Sequence, residues 1–157
     1  MTSATKDETF MRAAIAASRE AMAAGNLPYG ATLVSAAGAQ LMVAQNNRIT
    51  SGDFSGHAEM VLVRQAAATL GPAALVGATV YASGEPCAMC AGAMFWAGIR
   101  RVVFAVAQNA IPVLPGAPLL PVGCRTVYAD ASPPMTVDGP YLQDEALAVL
   151  EAFARKQ

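Results

Sequence analysis

The chain has 157 residues, of which 55% are hydrophobic and only 13% are Asp, Glu, Lys or Arg. A disordered chain has the opposite balance, so we expect one folded domain that is long enough to bury its core without disulfides. The formal net charge of -1 and the pI of about 5.7 disfavour a protein that needs a large basic surface to bind nucleic acid.

Hydrophobic periodicity and turn residues predict helices that alternate with strands. Thr5 followed by Glu8 is typical of a capping box that begins the first helix, and Gly25 with Pro28 ends that helix. After it, the predicted elements are strands 29–36 and 40–45, a helix at 57–70, a strand at 78–82, a helix at 87–97, a strand at 101–106, a short strand at 125–128 and a helix at 141–156. This order predicts an α/β fold with helices packed on one sheet.

Three further segments are predicted to lack regular structure, namely 46–56, 107–124 and 132–140. Within the second of them, Ile111 to Pro121 contains no polar side chain. If this stretch covers a pocket, it forms an apolar lid that offers no side-chain hydrogen bonds.

Long stretches without charged residues raise the question of membrane spans. Each of them, at 21–47, 65–84 and 102–124, is interrupted by glycine, proline or amide residues. A spanning helix must satisfy its backbone hydrogen bonds internally, which so many helix breakers prevent. Met1 to Glu8 is polar and contains no apolar targeting core, so we expect a cytoplasmic protein.

Two cysteines and the single histidine indicate a metal site. Cys87 and Cys90 form a Cys-x-x-Cys, and at a helix start both sulfurs face one side. Helix N-termini at His57 and Cys87 would stabilise thiolates. Two thiolates and one imidazole leave the fourth zinc position open for water, as in a catalytic site. The alternatives are a thioredoxin-like redox pair and a closed structural site with Cys124 as fourth ligand, although a lone cysteine is more often a small buried hydrophobe.

Glu59 follows His57 by two residues, and such residues are not neighbours on a regular helix. We therefore expect His57 to lie at the helix boundary, where Glu59 can reach over a water held by the metal. A carboxylate in that position is a candidate general acid and base.

These motifs, His57-Ala58-Glu59 and Glu85-Pro86-Cys87-Ala88-Met89-Cys90, resemble the zinc-dependent cytidine/deoxycytidylate deaminase superfamily, whose pattern is H-x-E…P-C-x-x-C. The sequence is most similar to the branch of bacterial guanine deaminases, cytosine deaminases and tRNA adenosine deaminases, and the resemblance covers about 8–106. The supporting residues are Pro28-Tyr29-Gly30-Ala31, Asn46-Asn47, Asp53 and the run from Ala91 to Ala97. Phe54 departs from the proline usual after the aspartate, so the loop before His57 is expected to differ in shape.

The resemblance implies a cytidine-deaminase-like three-layer α/β/α sandwich around a mixed five-stranded sheet. It implies a single deaminase domain over 1–157, with its catalytic core at about 8–106 and a lid and terminal helix at 107–157. One Zn²⁺ per chain would support a hydrolysis in which water replaces a ring amino group and ammonia is released.

The same resemblance implies roles for particular residues. The implied zinc ligands are His57, Cys87 and Cys90, and the implied proton shuttle is Glu59. The implied substrate contacts are the Asn46 side chain, the Ala58 backbone N–H and the Glu85 backbone carbonyl, with Asn47 as the alternative to Asn46. Independently of that, Tyr29 and Trp96 are aromatic candidates to stack on a ring or to wall it in.

The residues after 106 do not indicate one substrate. Pro28-Tyr29-Gly30, the doubled asparagine and Phe95-Trp96-Ala97 favour a guanine-deaminase-like activity on a purine base. Recognition of guanine would favour a carboxylate, and the candidates are Asp130, Asp138, Asp144 and Glu145. The alternative substrates are cytosine, isocytosine, another pyrimidine or triazine, or a nucleoside. The scarcity of basic residues makes a tRNA substrate less favoured, and a non-catalytic zinc module is the remaining alternative.

The apolar excess has two expected causes. Strands such as 102–106 read as continuous apolar runs because a sheet covered by helices buries both faces. The excess near Ile111 to Leu120 predicts a surface covered by a second subunit, and therefore a homodimer.

Overall fold

The computed structural model describes residues 2–157, with only the backbone for residues 3 and 4. In chain order, the elements are α1 (Ser3–Ala23), β1 (Gly30–Val34), β2 (Gln40–Gln45), α2 (Arg48–Ser51), α3 (Ala58–Leu70), β3 (Thr79–Gly84), α4 (Ala88–Ala97), β4 (Arg101–Val106), α5 (Cys124–Val127), β5 (Thr136–Asp138) and α6 (Gln143–Ala154). None of the helices in this described part is both long enough and apolar enough to cross a membrane.

The strands form one five-stranded mixed sheet in the order β2-β1-β3-β4-β5. Strand β1 runs antiparallel to both β2 and β3, whereas β3, β4 and β5 run parallel to one another. The carboxyl ends of β3 and β4 therefore lie side by side at one edge, where α4 and the segment after β4 begin.

Helices cover both faces of this sheet. On one face Leu62 of α3 and Met94 of α4 pack with Val80 and Val102, and on the other Met11 of α1 packs with Val103 and the α6 residues Val149 and Leu150. Neighbouring residues of β4 thus enter different cores, and both are almost fully buried. This arrangement confirms the predicted α/β/α sandwich and explains the continuous apolar run of β4.

Two sequence predictions at the chain ends are wrong. The fifth strand is Thr136–Asp138 rather than 125–128, since residues from Cys124 form a helical turn instead. The strand is held there by parallel pairing with Arg101–Val103, a long-range contact without a local sequence pattern. The first helix begins before the predicted capping box, because Thr2 Oγ1 accepts a hydrogen bond from the Thr5 N–H at 3.4 Å.

A polar cluster joins the first helix to the last strand. Arg101 donates to Asp7 Oδ2 at 2.9 Å and to Asp138 Oδ2 at 2.8 Å, and the Tyr81 hydroxyl donates to Asp7. These hydrogen bonds, chiefly the one from Arg101, lower the pKa of Asp7. The side chains of Asp7 and Arg101 are 16% and 31% exposed, so the pair is only partly screened by water.

We expect Asp7→Asn to lower the free energy of unfolding by about 1–2 kcal/mol at pH 7, between the values for exposed and buried ion pairs. Because the folded pKa of Asp7 lies below the ordinary aspartate value of 3.8, its contribution is present above pH 4 and is lost as the pH falls through the folded pKa. Urea unfolding at pH 7 and at pH 3 measures both effects.

The matched control is Glu8→Gln, because the ion pair of Glu8 with Arg12 is exposed and 3.5 Å long. It should change the free energy of unfolding by less than about 0.5 kcal/mol. An Asp7→Asn protein as stable as wild type at pH 7 would show that the cluster contributes nothing to the fold.

Candidate active site

The starts of two helices position the cysteines and the histidine. His57 is the N-cap of α3, with an extended backbone, and Cys87 is the N-cap of α4. Cys90 follows in the first turn of α4 and is fully buried. His57 thus lies at the helix boundary, as the two-residue spacing to Glu59 requires.

The three ligand atoms form a nearly equilateral triangle. His57 Nδ1 lies 3.6 Å from the sulfur of Cys87 and 3.6 Å from that of Cys90, and the two sulfurs are 3.6 Å apart. A tetrahedral zinc ion with Zn–S of about 2.3 Å and Zn–N of about 2.0–2.1 Å spaces its ligand atoms by roughly 3.5–3.8 Å. The residues present therefore fit a zinc ion.

Among the described residues, this metal-competent group contains three members, and Cys124 is not one of them. The Cys124 thiol instead donates to Glu85 Oε1 at 3.8 Å and is fully buried. Burial raises the pKa of that thiol to about 12, which opposes the thiolate that a ligand must be. The predicted alternative of a closed four-ligand site is therefore not supported.

Glu59 lies in the first turn of α3 and is only 6% exposed. Burial raises its pKa to about 7, so the carboxyl group is poised to take up and release a proton near neutrality. The pKa of the Cys87 thiol shifts in the opposite direction, because its hydrogen bonds with Cys90 and His57 lower it to about 4. A thiolate at Cys87 and a proton-transferring carboxyl at Glu59 face the same cavity.

That cavity has a volume of about 600 Å³. Its polar wall contains Tyr29, Asn46, Arg48, His57, Glu59, Glu85, Cys87 and Gln108. Asn46 is buried, and its Oδ1 accepts from the Arg48 N–H at 3.0 Å, which fixes the amide. The neighbouring Asn47 is instead the residue at the N-cap position of α2 and is not among the lining residues. The structure thus brings Asn46, and not Asn47, to the cavity.

The Tyr29 ring forms part of the wall close to the candidate metal site. A Cβ placed on Gly84 would lie 2.9 Å from Tyr29 Cε1, so only glycine leaves room for the ring there. Burial raises the pKa of the Tyr29 phenol to about 12, which keeps it neutral and able to donate a hydrogen bond.

The structure places Trp96, the aromatic candidate to stack on a ring or to wall it in, away from the pocket of its own chain. Trp96 is 85% exposed and is not among the lining residues. The cause is the orientation of α4, which buries Cys90, Ala91 and Met94 and leaves the indole on another face of the helix.

The carboxylates that were expected to bind guanine also lie outside the cavity. None of Asp130, Asp138, Asp144 and Glu145 is among the residues that line the cavity. Asp138 pairs with Arg101 and Glu145 with Arg12. The carboxylates at the cavity are Glu59 and Glu85.

Other lining residues come from segments whose role the sequence did not specify. The end of α6 contributes Leu150, Phe153 and Ala154, whereas Arg48 comes from α2 and Phe54 from the loop before α3. The helical periodicity of α6 indicated a packed helix, but no pattern showed that its last turn reaches a site. The apolar stretch from Ile111 does line the cavity, in the position expected of a lid.

The Glu85 side chain fixes both ends of that stretch. Its Oε2 accepts from the Gln108 N–H at 2.8 Å, and its Oε1 accepts from the Cys124 thiol. Gly123 also forms an isolated β-bridge with Cys87. We call residues 109–122 the strap, and its two ends are therefore anchored beside a candidate zinc ligand.

Gly123→Ala is expected to disrupt this anchor, since a Cβ at that position would overlap the Glu85 carboxylate. Overpacking of this kind costs about 1–3 kcal/mol, and we expect that loss in the free energy of unfolding together with a higher KM. Gly92→Ala is the matched control, because a Cβ there meets no atom within 4 Å. Urea unfolding and steady-state kinetics of both variants test the expectation, which fails if the two behave alike.

Residues 4–106 match the family described as the cytidine and deoxycytidylate deaminase zinc-binding region. A probable cytosine deaminase from Schizosaccharomyces pombe is 38% identical over 152 residues, which are 94% of this chain and 92% of the relative. A guanine deaminase from Bacillus subtilis is 40% identical over 62% of this chain and 63% of its own length. A tRNA-specific adenosine deaminase from the same organism is 41% identical over 64% of this chain and 62% of its own length.

Solved structures show the same fold. A guanine deaminase from Nitrosomonas europaea superposes with a TM-score of 0.77 at 22% identity, over 94% of this chain and 84% of that chain. A structure of tRNA:A34 deaminases superposes with a TM-score of 0.73 at 28% identity, over 91% of this chain and 99% of that chain. The five-stranded α/β architecture is thus shared by proteins that act on different substrates.

Proposed function

Because the chain belongs to the cytidine and deoxycytidylate deaminase zinc-binding family, a family of hydrolytic deaminases, we propose that it deaminates a free amino-azaheterocycle of the cytosine type. The observation that carries the proposal is the convergence of the His57, Cys87 and Cys90 triangle with the buried Glu59 carboxyl in one cavity. When bound, zinc supplies the Lewis acidity that lowers the pKa of water toward neutrality.

The chain's own groups would supply the proton transfers and hold the ring. Glu59 takes one proton from the attacking water and delivers it to the ring nitrogen, and it then moves the remaining proton of the new hydroxyl group to the leaving amine. A C–O bond forms and the C–NH₂ bond breaks, so that water and the ring amine become a lactam and ammonia. The Asn46 amide, the Ala58 N–H at the start of α3 and the Glu85 carbonyl would bind the polar edge of the ring.

A pyrimidine-type ring is favoured over guanine by the wall of the cavity. The distal carboxylates that would accept from guanine N–H groups lie outside the lining. The relative matched over 94% of the chain, which includes the region after 106, is called a probable cytosine deaminase. The second polar ring of a purine would face the apolar strap, where its nitrogen atoms find no side-chain partners and their desolvation is costly.

Guanine is the second candidate, because a cavity of about 600 Å³ has room for a fused ring. A tRNA is less favoured, since the one cation in the lining is Arg48. A non-catalytic zinc module is also less favoured, because it has no need of a buried Glu59 beside the ligands.

Release of ammonia from a panel of compounds tests the proposal. The panel contains cytosine, isocytosine, ammeline, guanine, adenine, their nucleosides and a tRNA anticodon stem. We expect the highest kcat/KM with a free monocyclic base. A preference for guanine would restore the purine assignment, and a preference for the tRNA stem would overturn the substrate class.

We also propose that residues 1–157 act as one catalytic domain. We further propose that this domain forms a homodimer and is located in the cytoplasm. Exposed apolar side chains outside the cavity support a second subunit, since Trp96 and Val76 are 85% and 64% exposed. Two thiol ligands favour a reducing compartment. A monomer in light scattering at micromolar concentration would contradict the dimer.

A further inference from the structure

The cavity of the proposed deaminase extends well beyond its polar end. A cavity on the order of 150 Å³ accommodates a benzene-sized ring, whereas this one measures about 600 Å³. The groups that would bind and convert a ring are gathered around His57, Cys87 and Glu59, and the rest of the lining has a different chemistry.

That remaining lining is almost entirely apolar. The strap contributes Ile111, Pro112, Val113, Leu114, Ala117, Pro118, Leu119 and Leu120, and the end of α6 adds Leu150, Phe153 and Ala154. The two segments adjoin, because residues on both of them also line a second, smaller cavity. Between Ile111 and Pro121 the strap has no side chain that donates or accepts a hydrogen bond.

This apolar wall is built into the fold and is continuous with the polar end. The Glu85 carboxylate anchors both ends of the strap, at Gln108 and Cys124. The polar end and the apolar wall meet at Gly84. A Cβ built on this glycine would lie 2.9 Å from Tyr29 Cε1 of the polar end and 3.5 Å from Ile111 Cδ1 of the strap. The wall is therefore held at a fixed position relative to the reacting end.

Several of these side chains lack a covering partner in the chain itself. Leu119 and Leu120 are 59% and 66% exposed although they face a cavity, and Val113 is 63% exposed. An apolar surface of this kind gains free energy when an apolar ligand group covers it. A phosphate or a hydroxyl-rich sugar would instead lose hydration there without gaining partners.

On the basis of the proposed deaminase function, we infer that the preferred substrate is an amino-azaheterocycle that carries an apolar substituent of several carbon atoms. The amino-bearing edge lies against Asn46 and Glu59, and the substituent lies against the strap and the end of α6. The strap then acts as the specificity-determining wall of the site.

Two homologous series of substrates test this inference on the zinc-loaded enzyme. They are cytosines that carry methyl, ethyl, propyl or butyl groups, attached at ring position 5 in one series and at position 1 in the other. Burial of each methylene is worth about 0.8 kcal/mol, so kcat/KM in at least one series should rise about fourfold per added carbon. Replacing the terminal methyl of the longest chain by a hydroxyl group should abolish most of the gain. A rise of less than twofold per carbon in both series would overturn the inference.

Variants of the wall locate the effect. Leu119→Ser and Phe153→Ala should each lower the butyl-to-methyl ratio of kcat/KM at least fivefold. Leu70→Ser, which changes an exposed apolar residue outside the cavity, should leave that ratio unchanged. A ratio that is unaffected by both wall variants would show that the substituent binds elsewhere.

A binding experiment separates this inference from the proposed function. Calorimetric titration of a zinc-loaded Glu59→Gln variant with both alkyl series measures affinity without turnover. Failure of the wild-type enzyme to release ammonia from any ring would refute the deaminase proposal. Affinity that still rose with chain length would support the apolar site even then, and affinity independent of chain length would overturn it.

Discussion

Replacement of Glu59 by Gln is expected to lower kcat on the order of 10⁴-fold, the upper end of the range for general acid–base catalysis. The substitution preserves the shape of the side chain but removes a carboxyl group that the proposed reaction uses for every proton transfer. Since Glu59 is buried and its pKa is raised to about 7, its charge is not a source of stability, so we expect the variant to unfold at the same or a higher temperature.

Ammonia release, zinc content and thermal unfolding of Glu59→Gln provide the measurements. The matched control is Glu151→Gln, which changes an exposed glutamate on α6 and should leave all three unaltered. Retention of wild-type kcat by Glu59→Gln would remove the carboxyl from the reaction and would point to another base in the cavity.

The candidate site was largely predictable because its geometry is local. The spacing between Cys87 and Cys90, and the position of His57 just before a helical pattern, depend on one helix start each. Strands 40–45 and 101–106 were also predicted with their observed bounds, since turn residues and apolar runs mark them. Where the backbone conformation follows from neighbouring residues, sequence patterns were sufficient.

The errors arise where position depends on distant parts of the chain. The three residues of β5 pair with β4 across more than 30 residues of sequence, and two β-branched residues are too short a run to mark a strand. Likewise, the helical pattern around Trp96 does not show which face of α4 turns toward the sheet. The end of α6 reaches the cavity only because α6 packs beside α1 on the sheet, a tertiary contact that periodicity does not encode.

The strap illustrates an intermediate case. The absence of polar side chains between Ile111 and Pro121 predicted an apolar lid if this stretch covers a pocket, and Ile111 and several residues after it line the cavity. What the sequence did not show is the anchor, in which the Glu85 carboxylate binds residues 23 and 39 positions away. Composition therefore predicted the apolar character of the strap, and the tertiary contacts of Glu85 determine its position.

Removal of zinc is expected to destabilise the wild-type protein, because the ion would join the N-termini of α3 and α4 through His57, Cys87 and Cys90. At a free zinc concentration 1,000 times the Kd, binding contributes about 4 kcal/mol to the free energy of unfolding. Thermal unfolding with and without a chelator should therefore differ for wild type and coincide for His57→Ala, which should also lose activity.

Cys124→Ala distinguishes a three-ligand site from a closed four-ligand one. Because the Cys124 thiol hydrogen-bonds to Glu85 and lies outside the ligand triangle, we expect this variant to retain one zinc ion per chain by metal analysis. Loss of zinc in Cys124→Ala would make that thiol a ligand, would close the position that water needs and would refute the catalytic assignment. Retention of zinc, together with its loss in His57→Ala, would support a site that His57, Cys87 and Cys90 hold without a fourth protein ligand.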